Sequence, residues 1–316
     1  MRIAVLDDWA GVAPDLAEWD ALGDVTIFSD PIPPARCAEM LAAFEVLCLM
    51  RERTSLPANL IDRLPNLRLI VTTGPRNSAI DVKAARARGI VVSGTRSRKT
   101  TTSELALTLI LCQCRRIGAE SRRIDTGGFQ GPPGRDLSDL DVGLVGLGNT
   151  GRQMAVLLRA LGARVAAWSP NLTEARAAES GVAFAPDLRS LAAGSDVLSL
   201  HMVLSGTTRD LVGEDVLRAL PPGAIVVNTS RAGLLDRGAL FSWLDRDTTA
   251  QAAIDVFETE PLPMNDPWRE ARSRFGDRLL LTPHVGYVTE ATWRLFYRET
   301  AEAIAAFRDG TPIRTL

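Results

Sequence analysis

The chain is poor in the residues that announce metal, disulfide or membrane chemistry. It has four cysteines and two histidines in 316 residues. Cys37, Cys48, Cys112 and Cys114 show no CxxC spacing and no paired framework, and Cys112 and Cys114, two apart on an expected helix, do not share a face. They read as reduced structural thiols of a cytoplasmic protein, with no metal site expected. The longest apolar stretch, 105–114, contains Thr108 and Gln113 and falls well short of the roughly 20 residues a membrane helix needs. The apolar start, 3–6, turns into Asp7 and Asp8, which suits a buried first strand rather than a signal core. An excess of one charge is missing too. With 36 basic and 38 acidic residues interspersed, the formal net charge is −2, so neither nucleic acid nor a membrane surface is an expected partner.

What the chain does have is alternation. Its length suits two domains, each with its own core. Short apolar runs at 3–6, 25–28, 46–50, 67–72 and 90–92 alternate with amphipathic stretches such as 35–44 and 57–63. That pattern predicts a parallel α/β sheet covered by crossover helices. A long, largely buried helix is expected at 103–116, then an exposed Gly/Pro-rich loop at 127–134. A second series follows, with six strands at 142–145, 165–168, 197–200, 225–228, 252–256 and 279–282, as in a doubly wound dinucleotide domain. The segment 291–307 is helical in period.

The second series opens on Gly146-Leu-Gly148-Asn-Thr-Gly151. A bare GxGxxG is weak, and a glycine-rich turn without ligand is its bland alternative. An apolar strand before it and a helical pattern after it favour phosphate binding. Gly146 permits the tight turn, Gly148 lets a pyrophosphate approach the backbone, and Gly151 lets the helix pack closely on the sheet. Unpaired N–H groups at the helix start then attract the phosphate. About 20 residues on, where an acid usually holds the ribose of NAD, stands Ser169. No Arg or Lys follows immediately, Arg176 being nearest, so NAD and NADP both remain open.

His284 directly follows the last strand of this series, at the carboxyl end where such sheets bind ligands. Arg231 and Glu260 lie beyond two other strand ends. Each alone reads as a structural histidine or a surface charge. Together they supply the parts for hydride transfer to a 2-oxo acid: an imidazole to exchange the proton, a carboxylate to orient it, and a guanidinium to fork onto the substrate carboxylate.

With these residues the sequence resembles the D-isomer-specific 2-hydroxyacid dehydrogenase family. The resemblance covers nearly the whole chain, through the glycine loop 143–152 and the segments 197–201, 227–233, 255–262 and 282–284. It implies an Arg231–Glu260–His284 triad, and cofactor contacts from Asn149, Thr150, Thr229, Ser230, Asp255 and Gly286, with His201 near the cofactor but not the proton donor. It further implies a flavodoxin-like catalytic domain (1–98 and 287–316) into which a Rossmann nucleotide-binding domain (99–286) is inserted, and a homodimer joined through the latter.

One stretch departs from the family pattern. Where a GxGxDNID-like loop usually receives the substrate carboxylate, this chain has Gly74-Pro75-Arg76-Asn77, and Pro75 has no N–H to give. Unusual substrate size or charge is therefore expected. Arg51 and Arg53, at a strand end, either add positive charge toward substrate or are simply solvated. Two other classes fit less well: a cofactor-sensing corepressor on the same fold, and a methyltransferase, which would leave Arg231, Glu260 and His284 without a role.

Overall fold

A computed structural model describes residues 1–316. The chain divides into two compact units, one formed by Met1–Arg98 with Val288–Leu316 and the other by Lys99–Tyr287. The first holds five parallel strands, β1 (Arg2–Val5), β2 (Asp24–Ile27), β3 (Val46–Leu49), β4 (Leu69–Thr72) and β5 (Val91–Gly94), in the order β2-β1-β3-β4-β5. This is the flavodoxin-like order. β3 and β4 are buried at every residue, which explains why they appear in sequence as near-continuous apolar runs rather than alternating ones. The helix Glu290–Arg308 packs back on β4 and β5. Its Glu299, fully buried, is held by the Arg96 backbone N–H and guanidinium at 2.7 and 2.6 Å.

The second unit holds seven parallel strands: β6 (Asp141–Val145), β7 (Arg164–Trp168), β8 (Ala183–Phe184), β9 (Val197–Leu200), β10 (Ile225–Asn228), β11 (Gln251–Ile254) and β12 (Leu279–Leu281). Their order is β12-β11-β10-β9-β6-β7-β8, the doubly wound arrangement with one strand added at the far edge. The sequence reading expected six strands. The seventh, β8, has two residues, both exposed, and so leaves no apolar run to find.

The helix Thr101–Cys114 lies on this sheet and buries Ala106, Leu109 and Ile110. Its Gln113 amide donates to the Ala252 carbonyl at 2.8 Å, at the amino-terminal end of β11. Near the same end, one Arg278 guanidinium nitrogen donates to the carbonyls of Leu244, Asp247 and Ala250. The four cysteines are unpaired, and burial pushes the Cys114 thiol up to about 11. No helix is long and apolar enough to cross a membrane. No group of three or more His, Cys, Asp or Glu is placed to hold a metal.

Candidate active site

The reacting-group candidates of the second unit hang from the carboxyl ends of three neighbouring strands. Arg231 follows β10, Glu260 follows β11 and His284 follows β12, and these strands pair in register, Asn228 with Ile254 and Ile254 with Leu281. Parallel neighbours lie about 4.8 Å apart, so residues 53 positions apart in the chain start from one short margin.

The closest link is between imidazole and carboxylate. His284 Nδ1 lies 2.7 Å from Glu260 Oε2, and Glu260 Oε1 accepts the Phe257 N–H at 2.9 Å. A carboxylate held at both oxygens fixes the ring and leaves Nε2 as its outward nitrogen. Tyr287 meets the ring edge-on, with centroids 5.4 Å apart. The backbone of His284 is left-handed, at φ 53°, a conformation that costs a non-glycine residue about 1–2 kcal/mol.

Asp255 holds that strained segment in place. Its Oδ1 accepts the Thr282 hydroxyl at 2.6 Å and the Val285 N–H at 2.8 Å, while Oδ2 accepts the Gly286 N–H at 2.9 Å. Burial pushes this carboxyl above the usual carboxylate range, and the three donors and nearby His284 oppose that rise. The sequence suggested Asp255 as a cofactor contact; the geometry gives it the further task of fixing the His284 loop. Arg231 is braced in a similar way: buried Asn228 donates to its carbonyl at 2.9 Å and accepts the Ser230 N–H at 3.0 Å. Sequence reasoning overlooked Asn228, though a polar residue closing a fully apolar strand was the available signal.

The glycine loop has the geometry of a phosphate cradle. Gly146 has φ 104°, and a side chain there would meet the His201 carbonyl at 2.5 Å. A Cβ at Gly151 would overlap the Gly146 carbonyl. A Cβ at Gly148 would meet nothing within 4 Å, so protein packing does not require a glycine there. Gly148 is also the N-cap of the helix Asn149–Ala160 and offers no side chain to its first N–H groups, including that of Thr150.

The Thr229 hydroxyl, buried past the end of β10, has no hydrogen-bond partner in the protein. An orphaned hydroxyl past the carboxyl end of a strand of this sheet fits a ligand held there. Ser230 differs, because its hydroxyl is already given to the Met202 carbonyl at 2.6 Å. His201 accompanies the loop through its N–H, donated to the Val145 carbonyl, and its Nε2 lies 2.9 Å from the Ser199 hydroxyl. Burial lowers its pKa to about 4, so it is neutral near pH 7.

The candidates of the first unit sit beyond β3 and β4. Arg51, at φ 54°, gives its N–H to Thr73 Oγ1 at 2.9 Å and its guanidinium to the Thr73 carbonyl at 3.2 Å. Asn77 fixes the Arg51 carbonyl at 2.6 Å. The guanidinium passes so close to Gly74 that a Cβ there would collide with it. The Gly74 N–H is itself taken by Thr95 Oγ1 at 2.8 Å, and Pro75 has none, so two backbone positions of this loop have no donor to offer. Arg76 is exposed. Arg53 is not merely solvated. It lies 3.9 Å over the Trp9 ring and donates to the Asp7 carbonyl at 2.8 Å.

Comparison with known proteins agrees with this geometry. Residues 107–286 match the model of the D-isomer specific 2-hydroxyacid dehydrogenase, NAD binding domain. The chain belongs to this family. Its dinucleotide cofactor is NAD or NADP. The chain is 31% identical over 269 residues to a D-3-phosphoglycerate dehydrogenase of Archaeoglobus fulgidus, covering 84% of this chain and 50% of that one. It is 30% identical over 295 residues to a glyoxylate reductase of Korarchaeum cryptofilum, covering 91% and 87%. Thus it spans about half the length of the first relative and most of the second. Among solved structures, a phosphoglycerate oxidoreductase from Vibrio cholerae superposes with a TM-score of 0.90 at 34% identity, over 98% of this chain and 99% of that one. Family membership accounts for both sheet orders.

Proposed function

We propose that this chain interconverts a small 2-oxo acid and its D-2-hydroxy acid using NAD or NADP. The observation that carries this reading is the His284–Glu260 pair at 2.7 Å, next in the sheet to the strand that bears Arg231. The reduced nicotinamide, when bound, supplies a hydride; the protein must manage the charge and the proton.

Arg231 binds the substrate carboxylate with its guanidinium and polarises the adjoining carbonyl. His284, with Nδ1 anchored on Glu260, gives a proton from Nε2 to the developing alkoxide, and takes it back in the oxidative direction. Glu260 stabilises the imidazolium and keeps the ring from turning. His201, neutral and tied to Ser199, is a poor rival for the proton. The unit Lys99–Tyr287 holds the dinucleotide through the cradle Gly146–Gly151. Exposed Ile117, Ile124 and Phe129 supply an apolar surface for the homodimer included in this reading.

Cofactor absorbance followed with glyoxylate, hydroxypyruvate, pyruvate and a wider 2-oxo acid panel tests the activity. His284→Ala is expected to lose most turnover while keeping its dinucleotide affinity. Near-wild-type turnover in that variant would remove the proton-donor assignment. No turnover by wild type on any acid, together with capture of a stable peptide partner, would favour the corepressor-like alternative.

A further inference from the structure

The turn after β7 carries information about which dinucleotide fits. Its first residue, Ser169, occupies the position where a carboxylate would hold the ribose 2′-hydroxyl of NAD and repel a 2′-phosphate. The turn lies against the glycine loop: the Gly146 N–H donates to the Trp168 carbonyl at 2.7 Å. From Ser169 to Thr173 there is no acid, and neither the Ser169 hydroxyl nor the Asn171 amide is used by the protein.

Arg176 lies on the short helix Glu174–Glu179 and folds back over this turn, donating from one guanidinium nitrogen to the Asn171 carbonyl at 3.2 Å. It has no carboxylate partner. Sequence distance hid this placement, because Arg176 is seven residues beyond Ser169 and the backbone returns its guanidinium to the Asn171 carbonyl.

We propose that the turn 169–176 selects NADP, with Arg176 as the cation for the 2′-phosphate and Ser169 and Asn171 as its neutral donors. A guanidinium anchored at one nitrogen keeps its remaining N–H groups for a phosphate, and a charge-assisted pair of this kind discriminates by about tenfold or more. Position 169 thus lacks the carboxylate that penalises the phosphate, and Arg176 supplies a charge that rewards it.

The inference rests on the dinucleotide reading of the glycine loop, and its test separates the two. Trp168 adjoins the turn, so quenching of tryptophan emission on titration with NADH and with NADPH gives both dissociation constants without turnover. NADPH is expected to bind at least about tenfold more tightly than NADH, and more so at low salt. Arg176→Ala should weaken NADPH by about tenfold and leave NADH unchanged, with Arg176→Lys restoring part of the loss. Ser169→Asp should weaken NADPH and strengthen NADH. Tighter binding of NADH by wild type, or equal losses for both dinucleotides in Arg176→Ala, would overturn the selection while leaving the cradle intact. Failure of both dinucleotides to bind would overturn the cradle reading, and this inference with it.

Discussion

Replacing His201 by Gln should make the protein less sensitive to mild acid. The folded chain keeps this imidazole neutral, with a pKa lowered to about 4 by burial and only the Ser199 hydroxyl as ring partner. The unfolded chain protonates it with an ordinary value of about 6.5. Because the folded value is depressed, the full contribution to stability is present above about pH 6.5 and is lost as pH falls toward 4. Between pH 8 and pH 5, proton linkage converts that difference into about 2 kcal/mol. Other groups titrate in the same interval, so the measurement is a comparison. Urea unfolding of wild type and His201→Gln is followed at pH 8, 6.5 and 5, and wild type is expected to lose about 2 kcal/mol more than the variant. Gln can still hydrogen-bond Ser199 but cannot take the proton. Parallel pH profiles for the two proteins, or a larger loss in the variant, would refute the reasoning.

Two further expectations concern the site itself. Glu260→Gln keeps one oxygen where two donors, the His284 ring and the Phe257 N–H, now find two; turnover should fall about a hundredfold while dinucleotide affinity is retained, as steady-state rates and fluorescence titration would show. Gly148→Ala and Gly151→Ala should part company: the first enters open space and leaves Tm unchanged but weakens dinucleotide binding, whereas the second strikes the Gly146 carbonyl and destabilises the fold by about 2 kcal/mol. Thermal melts with and without NADPH distinguish them.

Much of this was legible from the chain because parallel sheets leave plain traces. The runs that became β3, β9 and β10 are buried throughout and so are nearly all apolar, with Ser199 and Asn228 the exceptions. The glycine loop, His284 and Arg231 follow such runs directly, where the topology places ligands. Other features depend on contacts that no local pattern records. The helix Ile117–Asp125 buries no residue and was missed, since its apolar positions, Ile117 and Ile124, are exposed and few. The stacking of Arg53 on Trp9 joins positions 44 apart, and the return of Arg176 to its turn is decided by the backbone rather than by spacing. The role of Asp255 was half visible: a carboxylate at a strand end suggests a ligand, and only the folded loop reveals that it grips Thr282, Val285 and Gly286.

The second sheet keeps its foundations and its workshop at opposite margins. Gln113 and Arg278 tie carbonyls near the amino-terminal ends of the strands, whereas Arg231, Glu260 and His284 all leave from the carboxyl ends. Loops that leave the carboxyl ends can therefore be lengthened, shortened or recoloured with new side chains around Arg231, Glu260 and His284 while the ties at the far margin stay as they are. Evolution, or an engineer, can retune which acid is accepted without having to solve the folding problem a second time.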